Sequence, residues 1–401
     1  MNFLIINHYA TTPYQNGGTR HYDMAKELIK LGHKVTIVAS SFNHFSKKET
    51  QSFDNQLFTK ENIDGIDFVW IKTIQYKNNI MRIPNILSFY FNSKKVLYKH
   101  DLLNERPDFI IGSTVHLLAA QVALELSKKM NAKFIFEERD LWPQTFIDFG
   151  KLKEKNIISK LLFKYEKYFY DKADKVIILF PKAKSYLMEK GVKEENIIVL
   201  PNGYSNNSNH VNNHNENIID EALYNETLIT YIGSHGIANE LDKILDFAEV
   251  CEDLNVKFLF IGDGNEKHRL VNRVKQNNVK NIIFSDPINK NQVQQVLQKS
   301  KFTIISIKDS PLYKYGFSMN KLFDYLNADK PIFLLANKDM AKDFDFRGVN
   351  ISLDLEYQKD ILTNYLLDEK KYSEDCRSIN INKKKFSWEV IILDLIRRLE
   401  I

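Results

Sequence analysis

The chain is predicted to be an α/β protein with two Rossmann-like, doubly wound parallel-sheet domains. Three observations predict this. Short apolar runs without alternation recur along the 401 residues, helical patterns separate them, and one polar, Asn-rich stretch interrupts the series. Unbroken apolar strands belong to sheets covered by helices on both faces. The length is enough for two cores.

In the first half the expected strands are 3–6, 35–38, 68–71, 109–111, 134–136, 176–179 and 197–200. In the second they are 228–232, 258–261, 282–284, 302–307 and 331–335. PNGYSNNSNHVNNHNEN, residues 201–217, is too polar to build a core and reads as the linker, with Pro201-Asn202-Gly203 as the hinge. The division is therefore 1–200, the linker 201–217, and 218–381. A closing segment, 382–401, carries an amphipathic helix over 388–399 with Ile391, Ile392, Leu395, Ile396 and Leu399 on one side.

Composition narrows the function. Hydrophobic residues make up 44% and aromatics 12%, as in a globular protein. Lys+Arg 56 against Asp+Glu 51 gives +5, too mild for a nucleic-acid partner but enough for an anionic membrane surface where positive charge clusters. The only cysteines, Cys251 and Cys376, fit neither a disulfide framework nor a metal site. MNFLIINHY reads as a first strand and no run reaches membrane-spanning length, so a cytoplasmic protein is expected.

Ligands of such sheets gather outside the carboxyl ends of the strands. The sharpest segment there is YGFSMNKLFDYLNADKPIF, residues 315–333. A Gly-centred turn leads into a helix, with Asn320 and Lys321 at its start, then Leu322 and, one turn in, Asp324. Free N–H groups, a positive helix end and an ammonium at one point suit a diphosphate. Asp324 is placed to accept from sugar hydroxyls. Gly233, Ser234, His235 and Gly236 in one loop, and Gly262 and Gly264 in another, add candidate phosphate or nucleoside loops on the same sheet edge.

In the first half Gly17-Gly18 precede a helix and would let a donor phosphate approach the backbone. They do not form GxGxxG, against a nicotinamide dehydrogenase. His116 follows the fourth strand. Glu137, Glu138, Arg139, Asp140 and Trp142 follow the fifth, a cluster suited to gripping a sugar through carboxylates and an indole face. Asp343 and Asp345 form a literal DxD pair in a charged surface stretch, and no metal or cofactor is assigned to them. Residues 77–100 interleave Lys77, Arg82, Lys94, Lys95 and Lys99 with Ile80, Met81, Ile83, Leu87, Phe89 and Phe91, a pattern suited to an anionic bilayer surface.

Gly17-Gly18 with the later LGHKV, RDLWP at 139–143, PNG at 201–203, IGDG at 261–264 and SMNKLFDY at 318–325 resemble glycosyltransferase family 4, of the GT-B fold. More narrowly they are similar to bacterial transferases of the L-fucosamine type in O-antigen and capsule assembly. The resemblance implies two domains facing across a cleft. The second would take a nucleotide sugar, usually a UDP-sugar, with Lys321 in the diphosphate stretch and Asp324 where the second glutamate of the family's E-x7-E pair grips ribose. Gly316 stands where the first glutamate would fall.

The first domain would hold the acceptor through Arg139, Asp140 and Trp142, with Gly17, Gly18 and His116 facing the cleft. Lys321, His116 and Asp140 are the catalytic candidates. The implied reaction is retaining, metal-independent transfer of a hexose or N-acetylhexosamine to a lipid-linked saccharide. It would take place at the inner face of the cytoplasmic membrane, in lipopolysaccharide or capsule synthesis. Two alternatives are a nucleotide-sugar epimerase of the same fold and a catalytically silent nucleotide-sugar-binding module.

Overall fold

The computed structural model describes residues 1–401 except 16, 78–80, 100, 101, 104, 149, 151, 206–219, 221, 222, 224 and 401. It divides into two compact units, Met1–Asn202 with Trp388–Ile401, and Gly203–Ser387.

The first unit contains β1 (Asn2–Ile6), α1 (Arg20–Lys30), β2 (Lys34–Ser40) and a small hairpin of β3 (Phe42–Asn43) and β4 (Lys48–Glu49). Then come β5 (Phe58–Ile63), β6 (Ile66–Ile71), α2 (Arg82–Lys99), β7 (Phe109–Ser113), α3 (Leu117–Met130) and β8 (Lys133–Glu138). It continues with α4 (Gln144–Asp148), α5 (Ile157–Lys172), β9 (Lys175–Ile178), α6 (Ala183–Glu189) and β10 (Ile197–Val199). The eight-stranded sheet runs β10-β9-β8-β7-β1-β2-β6-β5. Only β5 is antiparallel, joined to β6 through Asp64 and Gly65 at φ 53 and 87, a two-residue hairpin turn with both φ positive.

The second unit contains β11 (Leu228–Ile232), α7 (Asp242–Val250), β12 (Lys257–Ile261), α8 (Lys267–Gln276), β13 (Ile282–Ser285), α9 (Lys290–Lys299) and β14 (Phe302–Ser306). It closes with α10 (Asn320–Asn327), β15 (Ile332–Leu335), β16 (Val349–Ile351), α11 (Leu355–Leu367) and α12 (Glu369–Asn382). Its six strands, β13-β12-β11-β14-β15-β16, are parallel throughout. Apart from the edge strand β13, which is half-buried throughout, the run-on apolar strands are buried nearly end to end, as two-sided coverage demands. Asp354 and Asp368 cap α11 and α12, accepting from Tyr357 and Lys371 backbone N–H groups at 3.1 and 3.0 Å.

The last helix, α13 (Trp388–Leu399), returns to the first unit and buries Trp388, Ile391, Ile392, Leu395 and Leu399 in the core built on β1, α1 and β2. The return begins at Trp388 and not at 382. Phe386 stays in the second unit, packed on Phe323 and Phe344 at 5.5 and 5.4 Å between ring centres. The linker is also shorter at its start than its composition suggests. Tyr204 is buried in the second core, its N–H donates to Phe386 O at 3.1 Å, and it bridges Ser387 in parallel. Residues 206–217 of the expected linker lie outside the described residues, as does Ile80.

Candidate functional site

In an open α/β sheet the ligand crevice forms where strand order reverses. In the second unit that point lies between β11 and β14. β11 delivers Gly233, and the chain beyond β14 delivers α10 with Lys321 in its first turn. Met319 precedes this helix and offers no side-chain cap. The helix end therefore lacks the side-chain acceptor that usually satisfies its first N–H groups.

Lys321 Nζ donates to Tyr231 Oη at 2.9 Å and to Asn239 Oδ1. It lies 4.7 Å from the centre of the Tyr231 ring. No carboxylate is among these partners, and burial brings the amine down from 10.5 to about 7. Gly233, at φ 155, is glycine for a visible reason. A Cβ there would stand 3.1 Å from Lys321 Cε, 3.2 Å from its Nζ and 3.2 Å from Tyr231 Oη. Tyr325, on α10, accepts from the Ile232 N–H at 2.8 Å and fixes the helix to the end of β11.

Other expected contacts of this unit are placed differently. Gly262 and Gly264 make room for the neighbouring loop. A Cβ on Gly262 would lie 1.9 Å from Gly233 O, and one on Gly264 2.4 Å from His235 O. The two loops are joined backbone to backbone, Gly233 N–H to Ile261 O at 2.9 Å and His235 N–H to Asp263 O at 2.8 Å. Those two amides are thus committed.

The His235 ring is fully buried among Tyr231, Phe260 and Phe284 and presents no donor to solvent. Burial, aided by Lys267, lowers it to about 4. Leu322 is a core residue. Asn320 opens α10 at the surface end, Ser234 is exposed with its carbonyl taken by Tyr231 and Asn239, and Gly236 starts a single 3-10 turn. Asp324 is not free: both carboxylate oxygens bind Lys290 Nζ, at 2.5 and 2.6 Å. Each retains a lone pair for a further donor. Of the DxD pair, Asp345 is bound by Lys338 at 3.2 Å.

The first unit reverses strand order between β1 and β7. His8 follows one and His116 the other. His116 caps α3: its Nδ1 accepts from the Ala119 N–H at 3.3 Å, and its Nε2 meets His8 Nδ1 at 2.6 Å. Both nitrogens are occupied and burial lowers the ring to about 3, so His116 positions His8 and offers no free base. Gly17 is a packing glycine; its Cβ would stand 2.9 Å from Thr11 and Phe45 side-chain atoms. Gly18 is held through its carbonyl by Thr11 Oγ1 at 3.1 Å.

The acidic pair ending β8 turns inward and does not meet a sugar. Glu137 is fully buried, bound by Arg20 Nε at 2.9 Å and His21 Nε2 at 2.6 Å. Burial alone would raise its pKa, but Arg20 and His21 outweigh that and hold it well below the usual range. The same Arg20 donates to the carbonyls of Leu200 and Pro201 at 2.9 and 2.8 Å and to Asn202 Oδ1 at 3.0 Å. Glu138 accepts from the Trp142 N–H at 3.2 Å and from Tyr170, and burial with Glu166 nearby raises it. Arg139 is half-buried with its N–H on Thr114, Asp140 is exposed, and Trp142 stands edge-on to Phe146 at 4.2 Å.

Two doubly wound parallel-sheet units, each gathering polar groups at its own switch point, make up a GT-B fold. Comparison with known proteins agrees. Residues 16–207 match the family described as Glycosyltransferase Family 4. An Escherichia coli K12 protein named for colanic acid biosynthesis, the glycosyl transferase WcaI, is 22% identical over 271 residues, 65% of this chain and 66%, just under two thirds, of its own length. Sucrose-phosphate synthase of Thermosynechococcus elongatus superposes with a TM-score of 0.70 at 13% identity, covering 100% of this chain and 98% of that one. Anabaena HepE, solved with UDP and glucose, gives 0.66 at 11%, covering 100% and 99%. The chain has the GT-B fold, and residues 16–207, just under half of it, are similar to Glycosyltransferase Family 4.

Proposed function

We propose that this enzyme moves a hexose or N-acetylhexosamine from a UDP-sugar to a lipid-linked saccharide in surface polysaccharide synthesis, with retention and without a metal. One observation carries the reading: a half-buried amine with no carboxylate partner among the described residues, Lys321, stands in the first turn of α10 beside the β11 loop. Breaking the anomeric C–O bond builds negative charge on the β-phosphate oxygen. The Lys321 ammonium and the positive end of α10 would stabilise that charge, the work a metal performs elsewhere. Asp324, held in place by Lys290, would accept from the ribose hydroxyls, and exposed Asp140 and half-buried Trp142 would meet the acceptor sugar.

The UDP preference is supported by HepE, which was solved with UDP and glucose, and the pathway by the name of WcaI. No described helix is long and apolar enough to cross a membrane. The lipid acceptor is supported by α2, where Ile83, Leu87 and Phe91 are exposed and followed at the same spacing by exposed Lys95 and Lys99. Lys94 is withdrawn from that surface into a pair with Glu125 at 2.7 Å.

The test is nucleotide release from a panel of UDP- and GDP-sugars, with and without polyprenyl-diphosphate saccharides, in EDTA. Acceptor-dependent UDP release under chelation is expected. Lys321→Ala should lose roughly 10²–10³ in kcat. Sugar interconversion without UDP release, or tight binding with neither, would replace this reading by an epimerase or a silent module.

A further inference from the structure

A pocket of the first unit, at the carboxyl ends of β1 and β2, is lined by His8, Tyr9, Thr11, Ser41, Asn43 and His44. Two cations contact residues that line it. Arg82 Nε donates to Tyr9 Oη at 3.0 Å, and its guanidinium lies 5.3 Å from the Tyr9 ring centre. Lys47 Nζ meets His44 Nδ1 at 3.3 Å and lies 4.3 Å from the Tyr76 ring centre. Tyr9 stacks on His44 at 4.7 Å, so each cation contacts one member of that stack.

Among the described residues no carboxylate pairs with either cation. Burial, and second to it the like charge of Arg82, lower Lys47. The nearby hairpin carboxylate, Glu49, is turned to the Thr50 and Gln51 N–H groups at 3.0 and 3.4 Å. Lys47 also holds a φ of 56, a left-handed conformation that a residue with a side chain adopts at a cost.

A proton chain completes the site. Because the Ala119 N–H donates to His116 Nδ1, the His116 proton is on Nε2 and is given to His8 Nδ1. The His8 proton must then be on its own Nε2. That nitrogen belongs to a fully buried ring, one that lines the pocket, and has no partner. Buried polar hydrogens are usually paired, with protein, with ordered water or with a bound group.

We propose that this pocket is an oxyanion subsite, in which Arg82 and Lys47 supply charge and His8 Nε2–H a hydrogen bond. The anion would be a group of the acceptor, either its diphosphate or a sugar carboxylate. That assignment to the acceptor rests on reading the first unit as the acceptor half; the anion site itself does not. The three imidazoles stay neutral because burial depresses them, so His8 remains a directional donor and the positive charge comes from Arg82 and Lys47.

The test is calorimetry on the full chain with farnesyl diphosphate and with glucuronate, the second unit occupied by saturating UDP. Binding of at least one probe is expected. It should weaken about tenfold or more in R82Q/K47Q, persist in R82K/K47R, and persist in Lys321→Ala. Preference for farnesyl diphosphate would name the lipid diphosphate as the source, and preference for glucuronate an acidic sugar. Equal binding by wild type and R82Q/K47Q, or binding of neither probe by wild type, would overturn the proposal. UDP titrations alone report on the nucleotide site, so its failure is read separately.

Discussion

Lys321 offers the most direct test of the proposed donor site, because burial brings its amine down toward the working pH. With the amine at about 7, about half of the free protein carries the charge at pH 7, about a tenth at pH 8 and nearly all at pH 6. If a donor diphosphate binds the ammonium and holds its proton, the apparent affinity for a UDP-sugar falls about tenfold per unit above pH 7 and is flat below 6. The sugar diphosphate itself does not titrate in this range, so the slope belongs to the protein. Calorimetry at pH 6 to 9 in buffers of differing ionisation enthalpy reads both quantities. Proton uptake should be about half at pH 7 and near one at pH 8. A flat affinity without proton uptake, or a slope that survives in Lys321→Gln, would refute the reasoning. The same depression has a sign for stability: between about pH 7 and 10.5 the unfolded chain holds more protons on this group, so the ligand-free protein gains stability through that window.

Three further outcomes are expected. Glu137→Gln strips the countercharge from buried Arg20 and His21 and should cost about 3–5 kcal/mol in denaturant unfolding. The wild-type advantage is present above the ordinary carboxyl value of 4.5 and shrinks as pH falls below it, because the folded pKa is the lower one. Gly262→Ala forces a methyl into the Gly233 carbonyl and should cost about 1–3 kcal/mol, with weaker UDP-sugar binding in the same titration. Neutralising Lys95 and Lys99 should reduce sedimentation with anionic vesicles by about 1 kcal/mol per lysine, whereas Lys94→Gln should change it less because Lys94 is paired.

The parallel core was legible because its strands announce themselves as unbroken apolar runs, and α13 because its apolar spacing is strict. The polar edge strand Phe58–Ile63 escaped, although the Asp64-Gly65 turn that creates it was there to be read. The place of Lys321 in the first turn of a helix was legible from the Gly-centred turn before it. Its partners Tyr231 and Asn239 are 90 and 82 residues away, and only the reversal of strand order brings them to it. Gly17, Gly262 and Gly264 misled for a physical reason: a glycine that admits a ligand and one that admits another backbone leave the same letter in the sequence. Glu137 and Glu138 misled likewise, since their partners Arg20, His21 and Tyr170 come from helices distant in sequence. Arg20-His21, directly behind the Gly pair, was the one available hint.

The second unit is an insertion within the first, and that fixes an order of events during synthesis. All of Gly203–Ser387 leaves the ribosome before Trp388 does, so its core can close first. The earlier unit must wait, because Trp388, Ile391, Ile392, Leu395 and Leu399 fill the space beside α1. Until they arrive, Tyr22, Met24, Ala25 and Leu28 have an incomplete cover, and Arg20 lacks the indole it lies against, 5.4 Å from its centre. A nascent chain halted before Trp388 would therefore hold a finished second half and an unfinished first one, open to chaperones and proteases on the face of α1.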